Sequence, residues 1–193
     1  MARKTQNPNP RLTGIGLSIA AALGLGSIGT ASQAQNWSAL SDALAVGLPA
    51  VAAVTTLQRA DTEGAQQGAL TVGTTLLATE ILKRTIHEER PDRSDKRSFP
   101  SGHTAVAFAS ASYLDHRYGA AGPVDPTWLY GVAALTGIAR VQADKHHWQD
   151  VIAGGALGWA AGRWLTKPWQ GGQLSVSPSS QGGAVVTWQK GLP

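Results

Sequence analysis

Apolar positions gather into five runs, at 37–57, 64–86, 101–118, 127–141 and 148–165, with short polar breaks between them. The runs are rich in Ala and Leu and do not alternate, so they predict helices and an all-α fold. Gly64 and Pro126 mark breaks, and 119–126 reads as a loop. The uncharged stretches inside the runs are short: 16 residues at 43–58, 15 at 65–79, 17 at 98–114 and 14 at 126–139. A spanning helix wants about 20 apolar residues, and several stretches contain Thr, Ser or Gln. They suit the core helices of a compact bundle. Gly154, Gly158 and Gly162 recur at intervals of four in the last run, which predicts a smooth seam where another backbone approaches closely. After Pro168 the pattern changes. Positions 173–177 and 184–189 alternate loosely around a Pro-, Ser- and Gly-rich centre, predicting a terminal β-hairpin or an arm.

The first 34 residues do not read as part of the bundle. Arg3, Lys4 and Arg11 form a basic start without an acid, an apolar run follows from Ile15 to about Ile28, and Ser32-Gln33-Ala34 supplies small residues at a cleavage position. This is the layout of an export signal. The competing reading is an uncleaved first membrane helix. Both send the following segment out of the cytoplasm, to a periplasm or cell envelope, membrane-associated or integral. The expected organisation is therefore a leader at 1–34, a helical domain at 35–167 and an arm at 168–193.

Composition sharpens this. The chain of 193 residues has length for one domain. It holds no Cys, which excludes a disulfide scaffold, a Cys-ligated metal site and a thiol nucleophile. The formal charge of +4 suggests nucleic acid until the charges are located. Without the leader, thirteen basic residues face twelve acidic ones, and a nucleic-acid partner loses its support.

Two segments concentrate the chemistry. Positions 83–97 carry Lys83, Arg84, Arg90, Arg93, Lys96 and Arg97 among Glu88, Glu89, Asp92 and Asp95, and lead into Phe99-Pro100-Ser101-Gly102-His103. Most of these charges read as a solvated loop. Ser101, however, is a good helix N-cap, and the N–H groups that follow make a natural seat for phosphate. The second segment runs from Arg140 through His146 and His147 to Asp150. His146 and Asp150 stand four apart, so on one helical face they can hydrogen-bond, leaving one imidazole nitrogen as nucleophile or base. His103, His146 and Asp150 could also ligate a metal, but the nearby arginines favour an anion. His87 and His116 read as surface or helix-end residues. The seven Trp read as core or interface, with Trp128, Trp148, Trp164 and Trp169 also suited to a membrane boundary.

These pieces resemble the signature of the type 2 phosphatidic acid phosphatase (PAP2) superfamily, which also holds class A acid phosphatases and vanadium haloperoxidases. The matching residues are Lys83 with Arg90-Pro91, then Pro100-Ser101-Gly102-His103, then Arg140, His146 and Asp150, each at the family's local spacing. One position departs: Ala139 stands where the family usually has Ser. The resemblance implies a helical bundle and a phosphatase needing no metal or other cofactor. Lys83, Arg90, Arg140, Ser101 and the N–H of Gly102 would hold the phosphoryl group. His146 would form a phosphohistidine, Asp150 would orient it, and His103 would protonate the leaving group and then help activate water. A lipid phosphate or diphosphate is the expected substrate, of the phosphatidic acid, isoprenyl diphosphate or lipid A type, met at a membrane surface. The alternatives are a soluble non-specific acid phosphatase, a vanadium haloperoxidase and a non-catalytic anion-binding envelope protein.

Overall fold

The computed structural model describes residues 30–170, 172–178 and 182–190. The chain divides into two units, Met1–Gln33 and Ala34–Pro193, and the candidate site lies wholly in the second. The leader expected at 1–34 falls, as far as residue 29, outside the described residues. Five α-helices follow: α1 (Thr30–Gln58), α2 (Thr62–Thr85), α3 (Gly102–Tyr118), α4 (Pro126–Gln142) and α5 (Trp148–Leu165). A 3-10 turn at Gly119–Ala121 precedes α4. Strands β1 (Gly172–Pro178) and β2 (Ala184–Lys190) close the chain as an antiparallel hairpin, with Gly172 opposite Lys190 and Val176 opposite Val186. The all-α bundle and its terminal hairpin agree with the expected fold.

Local chemistry sets the helix ends. Asp61 caps α2, accepting from the Gly64 N–H at 2.9 Å. Asp125 caps α4 by accepting from the Thr127 N–H at 2.8 Å, with Pro126 at the first helical position, where its missing donor costs nothing. The α4–α5 connection turns through Asp144 at φ 55°. Its backbone is tied by the Lys145 N–H to the Arg140 carbonyl at 3.1 Å.

Helix α3 is the centre of the bundle, and α5 lies directly on it. The glycine seam makes this possible. A Cβ on Gly154 would come within 2.4 Å of the Ser101 carbonyl oxygen, and one on Gly158 within 2.0 Å of the Ala105 carbonyl oxygen. Side chains there would force the helices apart. Ala105 and Ala109 of α3 meet this seam, and Ala107 and Ala111 on its other side are fully buried as well. The interior is filled by alanines and hydroxyl residues, with Tyr113 and Leu114 as its largest fully buried side chains. Each buried Thr needs a partner for its hydroxyl. Thr75 donates to the Thr71 carbonyl and Thr79 to the Thr75 carbonyl, both at 2.7 Å, within their own helix.

Many of the large apolar side chains, by contrast, face outward. Val46, Leu57, Leu76, Leu77, Ile81, Ile152 and Trp159 are exposed, and Trp164 is 78% exposed. This corrects the expectation that the apolar runs chiefly supply a core. Of the two placements expected for the Trp residues, core or interface, Trp128, Trp148, Trp159 and Trp164 do not take the core one. The interior is made from small residues because the helices pack too closely for large ones. Among the described residues, one stretch, Ser32–Gln58, is long and apolar enough to cross a membrane. A cavity of about 330 Å³ opens between α1, α2 and α3, lined by Ala52, Ala53, Gly68, Ala69, Val72 and Tyr113 among others.

Candidate active site

The loop between α2 and α3 carries the densest run of charge in the sequence, and most of that charge is paired within the loop or to its neighbours. Asp95 accepts from the Arg90 Nε at 2.7 Å and the Arg97 N–H at 2.8 Å. Arg97 reaches Glu80 on α2 at 2.6 Å. Asp92 accepts from Lys145 Nζ at 2.6 Å, and its N–H donates to the Asp144 carbonyl at 3.1 Å. These bonds pin the α2–α3 loop to the α4–α5 loop. They bring Arg90 up to the second loop, where its Nη1 donates to the Lys145 carbonyl at 3.4 Å. Lys83, in the last turn of α2, lies beneath the first loop and donates to the carbonyls of Arg97 at 2.7 Å and Ser98 at 3.3 Å.

Ser101 occupies the N-cap position of α3, but its side chain does not cap the backbone. The hydroxyl pairs instead with Thr104 Oγ1 at 2.9 Å, and the Ser101 N–H donates to the Asp150 carbonyl at 2.9 Å. The cause is burial. Ser101 is fully enclosed beneath the Gly154 crossing, so its hydroxyl takes the neighbour within reach. Gly102 follows at the first helical position, where a backbone N–H has no partner within the helix.

His146 sits in the α4–α5 loop, 2% exposed. Its Nδ1 lies 3.4 Å from Asp150 Oδ2, yet that nitrogen has no hydrogen-bond partner. The expected bond is thus a close approach without bonding alignment. Asp150 Oδ2 already accepts from Ser98 Oγ at 2.5 Å and from the His147 N–H at 2.8 Å, while its Oδ1 is buried and unpartnered. Burial drives the His146 imidazole well below its ordinary pKa. Arg140, Lys83 and Arg90 add to this effect, and Asp150 opposes it. Burial thus favours the neutral ring, which keeps a lone pair. Burial and the neighbouring Arg90 also push Lys83 down to about 8.

Arg140 lies in the last turn of α4 and is buried, with its Nε unpartnered. Its Nη1 donates to Ser41 Oγ at 3.3 Å and to Asp42 Oδ1 at 3.2 Å. The same Asp42 oxygen lies 2.9 Å from His103 Nε2. His103 is held below its ordinary pKa by burial and by Arg140, with Asp42 working in the other direction. Ala139, next to Arg140, is fully buried.

The structure therefore gathers Lys83, Arg90, Ser101, Gly102, His103, Arg140, His146 and Asp150 around one region where four helices and two loops meet. Sequence reasoning missed three contributors, Ser41, Asp42 and Ser98. Asp42 had a signal, as the lone acid that opens the uncharged stretch of α1. Ser98 had none. Glu88, His147 and Asp150 bring ligating atoms within 4.8 Å of one another, a different set from the His103, His146 and Asp150 considered for a metal. Asp150 Oδ2 is already committed to Ser98 and His147, and Lys83 bears on the same carboxylate, so a cation there would be opposed.

What the region offers is a buried imidazole, a second imidazole on a helix N-terminus and three cations, Arg140 buried and Lys83 and Arg90 half-buried. This suits an anion with several oxygens. Comparison with known proteins agrees. Residues 67–171 match the family model of the PAP2 superfamily. A lipid A 1-phosphatase of Porphyromonas gingivalis is 44% identical over 69 residues, which is 36% of this chain and 16% of that protein. Lipid phosphate phosphatase 2 of Arabidopsis thaliana is 38% identical over 73 residues, 32% of this chain and 25% of that protein. The matches thus span a quarter or less of these relatives. The crystal structure of Aquifex aeolicus LpxE aligns with a TM-score of 0.48 and 23% identity, covering 68% of this chain and 92% of that one. With its motif residues brought together in one region and more than half its length matching the family model, this chain belongs to the PAP2 superfamily.

Proposed function

We propose that this protein is a metal-independent phosphatase acting on a lipid phosphate or diphosphate through a phosphohistidine. The observation that carries the reading is the neutral, buried His146 with Lys83, Arg90 and Arg140 all bearing on it. A phosphoryl group bound there meets a nucleophile and three cations at once. His146 Nε2 attacks phosphorus while Asp150 stabilises the cation that forms on the ring. Lys83, Arg90 and Arg140 offset the charge that builds on the equatorial oxygens. His103 gives its proton to the leaving alkoxide and then takes one from the water that frees phosphate. Ser101 acts in this scheme through Thr104 and the Asp150 carbonyl, and the Gly102 N–H faces the anion.

The lipid part rests on the names of the relatives, on the apolar exterior of the helices and on the cavity between α1, α2 and α3. The exposed aliphatic and Trp side chains suit a membrane boundary, with α1 as the one candidate span among the described residues. An envelope location with an exported site fits the same reading.

Phosphate release by the purified full chain in detergent tests it, with phosphatidic acid, an isoprenyl diphosphate, a lipid A phosphate and a water-soluble ester compared in EDTA. Release from at least one lipid is expected, with His146→Ala abolishing both turnover and trapping of labelled phosphate on the protein. Loss of activity in EDTA would sink the metal-free route. Equal rates on the water-soluble ester would favour the acid phosphatase, and bromide oxidation by the vanadate-loaded protein the haloperoxidase.

A further inference from the structure

We propose that Asp42, on α1, is a positioning residue for the acid step: it keeps the proton on His103. The proposal rests on the phosphatase reading above. Asp42 lies outside the 67–171 segment that matches the family model, and the motif residues leave the acid without a partner of its own.

The geometry is specific. One carboxylate oxygen, Oδ1, lies 2.9 Å from His103 Nε2 and 3.2 Å from Arg140 Nη1. Ser41, fully buried one residue earlier, takes the same Arg140 nitrogen at 3.3 Å. Two consecutive residues of α1 thus reach the two groups that would flank the leaving oxygen. The groups bearing on His103 otherwise work against its charge. Arg140 comes from α4 and Arg90 from the α2–α3 loop. The N-terminus of α3, where His103 is the second helical residue, also disfavours a cation. Asp150, on α5, is turned to Ser98 and the His147 N–H. Asp42 is the acid that answers these influences.

A general acid must hold its proton before the leaving group departs. With Asp42 accepting from Nε2, the proton sits on the nitrogen beside Arg140. The Asp42 side chain is 56% exposed, so it can yield its place to a substrate oxygen. The N–P bond to His146 then forms as the P–O bond breaks. The His103 proton passes to the alkoxide, leaving an alcohol and a neutral imidazole. In the second step that imidazole takes a proton from water, whose oxygen bonds to phosphorus as the N–P bond breaks. The cycle returns His146 free, His103 protonated and phosphate released.

The test compares wild type, Asp42→Asn and Asp42→Glu as full chains in detergent, on phosphatidic acid and on p-nitrophenyl phosphate. The first substrate has a poor leaving group that needs a proton, and the second has a good one that does not. Asp42→Asn should lower kcat/KM on phosphatidic acid about tenfold or more at pH 7, consistent with the size of acid catalysis. It should change the nitrophenyl rate by less than about threefold, and Asp42→Glu should recover part of the loss. Removing the carboxylate lowers the His103 pKa. The basic limb of kcat/KM should therefore move to lower pH by about one unit, with activity returning on acidification. An equal loss on both substrates at every pH would mean a structural role and overturn the proposal. So would a fall in KM with unchanged kcat, which would make Asp42 a competitor of substrate. An active wild type killed by His146→Ala, with either of those patterns, sinks the Asp42 role alone. An inactive wild type sinks the phosphatase reading with it.

Discussion

At the C-terminal end of α3, Arg117 meets Asp61 through two bonds, at 2.8 and 2.6 Å. Tyr118 donates to the same carboxylate at 3.0 Å, and Asp61 also accepts from the Gly64 N–H. Arg117 gives its third nitrogen to the Lys167 carbonyl at 3.0 Å. Arg59 covers the cluster, its guanidinium 4.9 Å from the Tyr118 ring centre and 4.7 Å from that of Trp169. At the N-terminal end of the same helix, about 24 Å away by helix geometry, the ingredients are again arginine, carboxylate and hydroxyl. There Arg140 Nε, His146 Nδ1 and Asp150 Oδ1 are buried with no partner. One end satisfies its polar groups within the fold. The other brings three cations together and leaves buried donors and acceptors open, an arrangement that costs stability unless something binds. The difference separates a structural clasp from the end where we propose that the phosphoryl group binds.

The comparison breaks most sharply if activity and stability respond to the wrong end. Asp61→Asn strands the Arg117 charge in the interior, where losing one partner of a buried pair costs about 3–5 kcal/mol. Denaturant titration should show that loss, while the fraction still folded turns over at close to the wild-type rate. The pH dependence has the same origin. Burial pushes the Asp61 pKa up, but the bonds from Arg117, Gly64 and Tyr118 outweigh it and leave it below the usual carboxylate value. A group depressed in the folded state stabilises above its unfolded pKa. This contribution is fully present near neutrality and disappears as pH falls through the folded value. In Asp61→Asn the acid-side loss of stability should shrink. A normal melt for this variant would refute the clasp.

Arg140→Met is the converse experiment at the other end. It removes an unpartnered buried Nε and lowers the repulsion acting on His103 and His146. Stability should hold or rise by about 1 kcal/mol, in line with relief of one unsatisfied group. Vanadate or phosphate affinity should fall about 10- to 100-fold, matching a charged hydrogen bond of about 1.5–3 kcal/mol. Calorimetric binding and a thermal melt read the two effects separately. A large loss of stability would show that Arg140 is held by the fold as tightly as Arg117 is.

Ser98→Ala should have a smaller effect. Its hydroxyl is the short donor to Asp150 Oδ2 and fixes that oxygen 3.4 Å from His146 Nδ1. Freed of Ser98, Asp150 keeps only the His147 N–H and loses its fixed place beside the ring. A fall in kcat of about tenfold with KM unchanged is expected, the size of one charged hydrogen bond acting through Asp150. An effect on KM instead would place Ser98 in phosphate binding.

The helices were legible because 3.6-residue patterning and breaker residues are local. The predicted run at 148–165 is α5 to the residue, and 101–118 is α3 within one. The glycine seam was legible too, since spacing by four describes one helix face whatever it meets. The two polar ends of α3 were not equally readable. Lys83, Arg90, His103, Arg140, His146 and Asp150 stand in short motifs whose spacing can be inspected. The Asp61–Arg117 pair joins residues 56 apart in sequence, and Asp42 reaches Arg140 across 98. Such pairings depend on how helices cross, which no local pattern contains. The exposure of Leu77, Ile152 and Trp164 was hidden for a related reason. Helical periodicity tells which residues share a face, but not whether that face turns inward. Here the close α3–α5 crossing admits only small residues and sends the large ones out.

The smallest predicted effect concerns Ala139, where the family usually carries Ser. The position is fully buried on α4 beside Arg140, so a restored hydroxyl has two fates. It can donate to a phosphoryl oxygen, or it can turn back to the carbonyl of Leu135, four residues earlier, as buried Thr75 and Thr79 do in α2. The open anion seat offers the stronger acceptor, because a phosphate oxygen carries charge and the Leu135 carbonyl is already bonded within the helix. Ala139→Ser should therefore lower KM for the lipid phosphate by about 2- to 10-fold, the worth of one ordinary hydrogen bond, with kcat nearly unchanged. Product phosphate should bind more tightly by a similar factor, since it shares the same oxygens. An unchanged KM with a small drop in melting temperature would mean that the hydroxyl bonds back to Leu135. The seat would then be complete without it, its affinity set by Lys83, Arg90 and Arg140 alone.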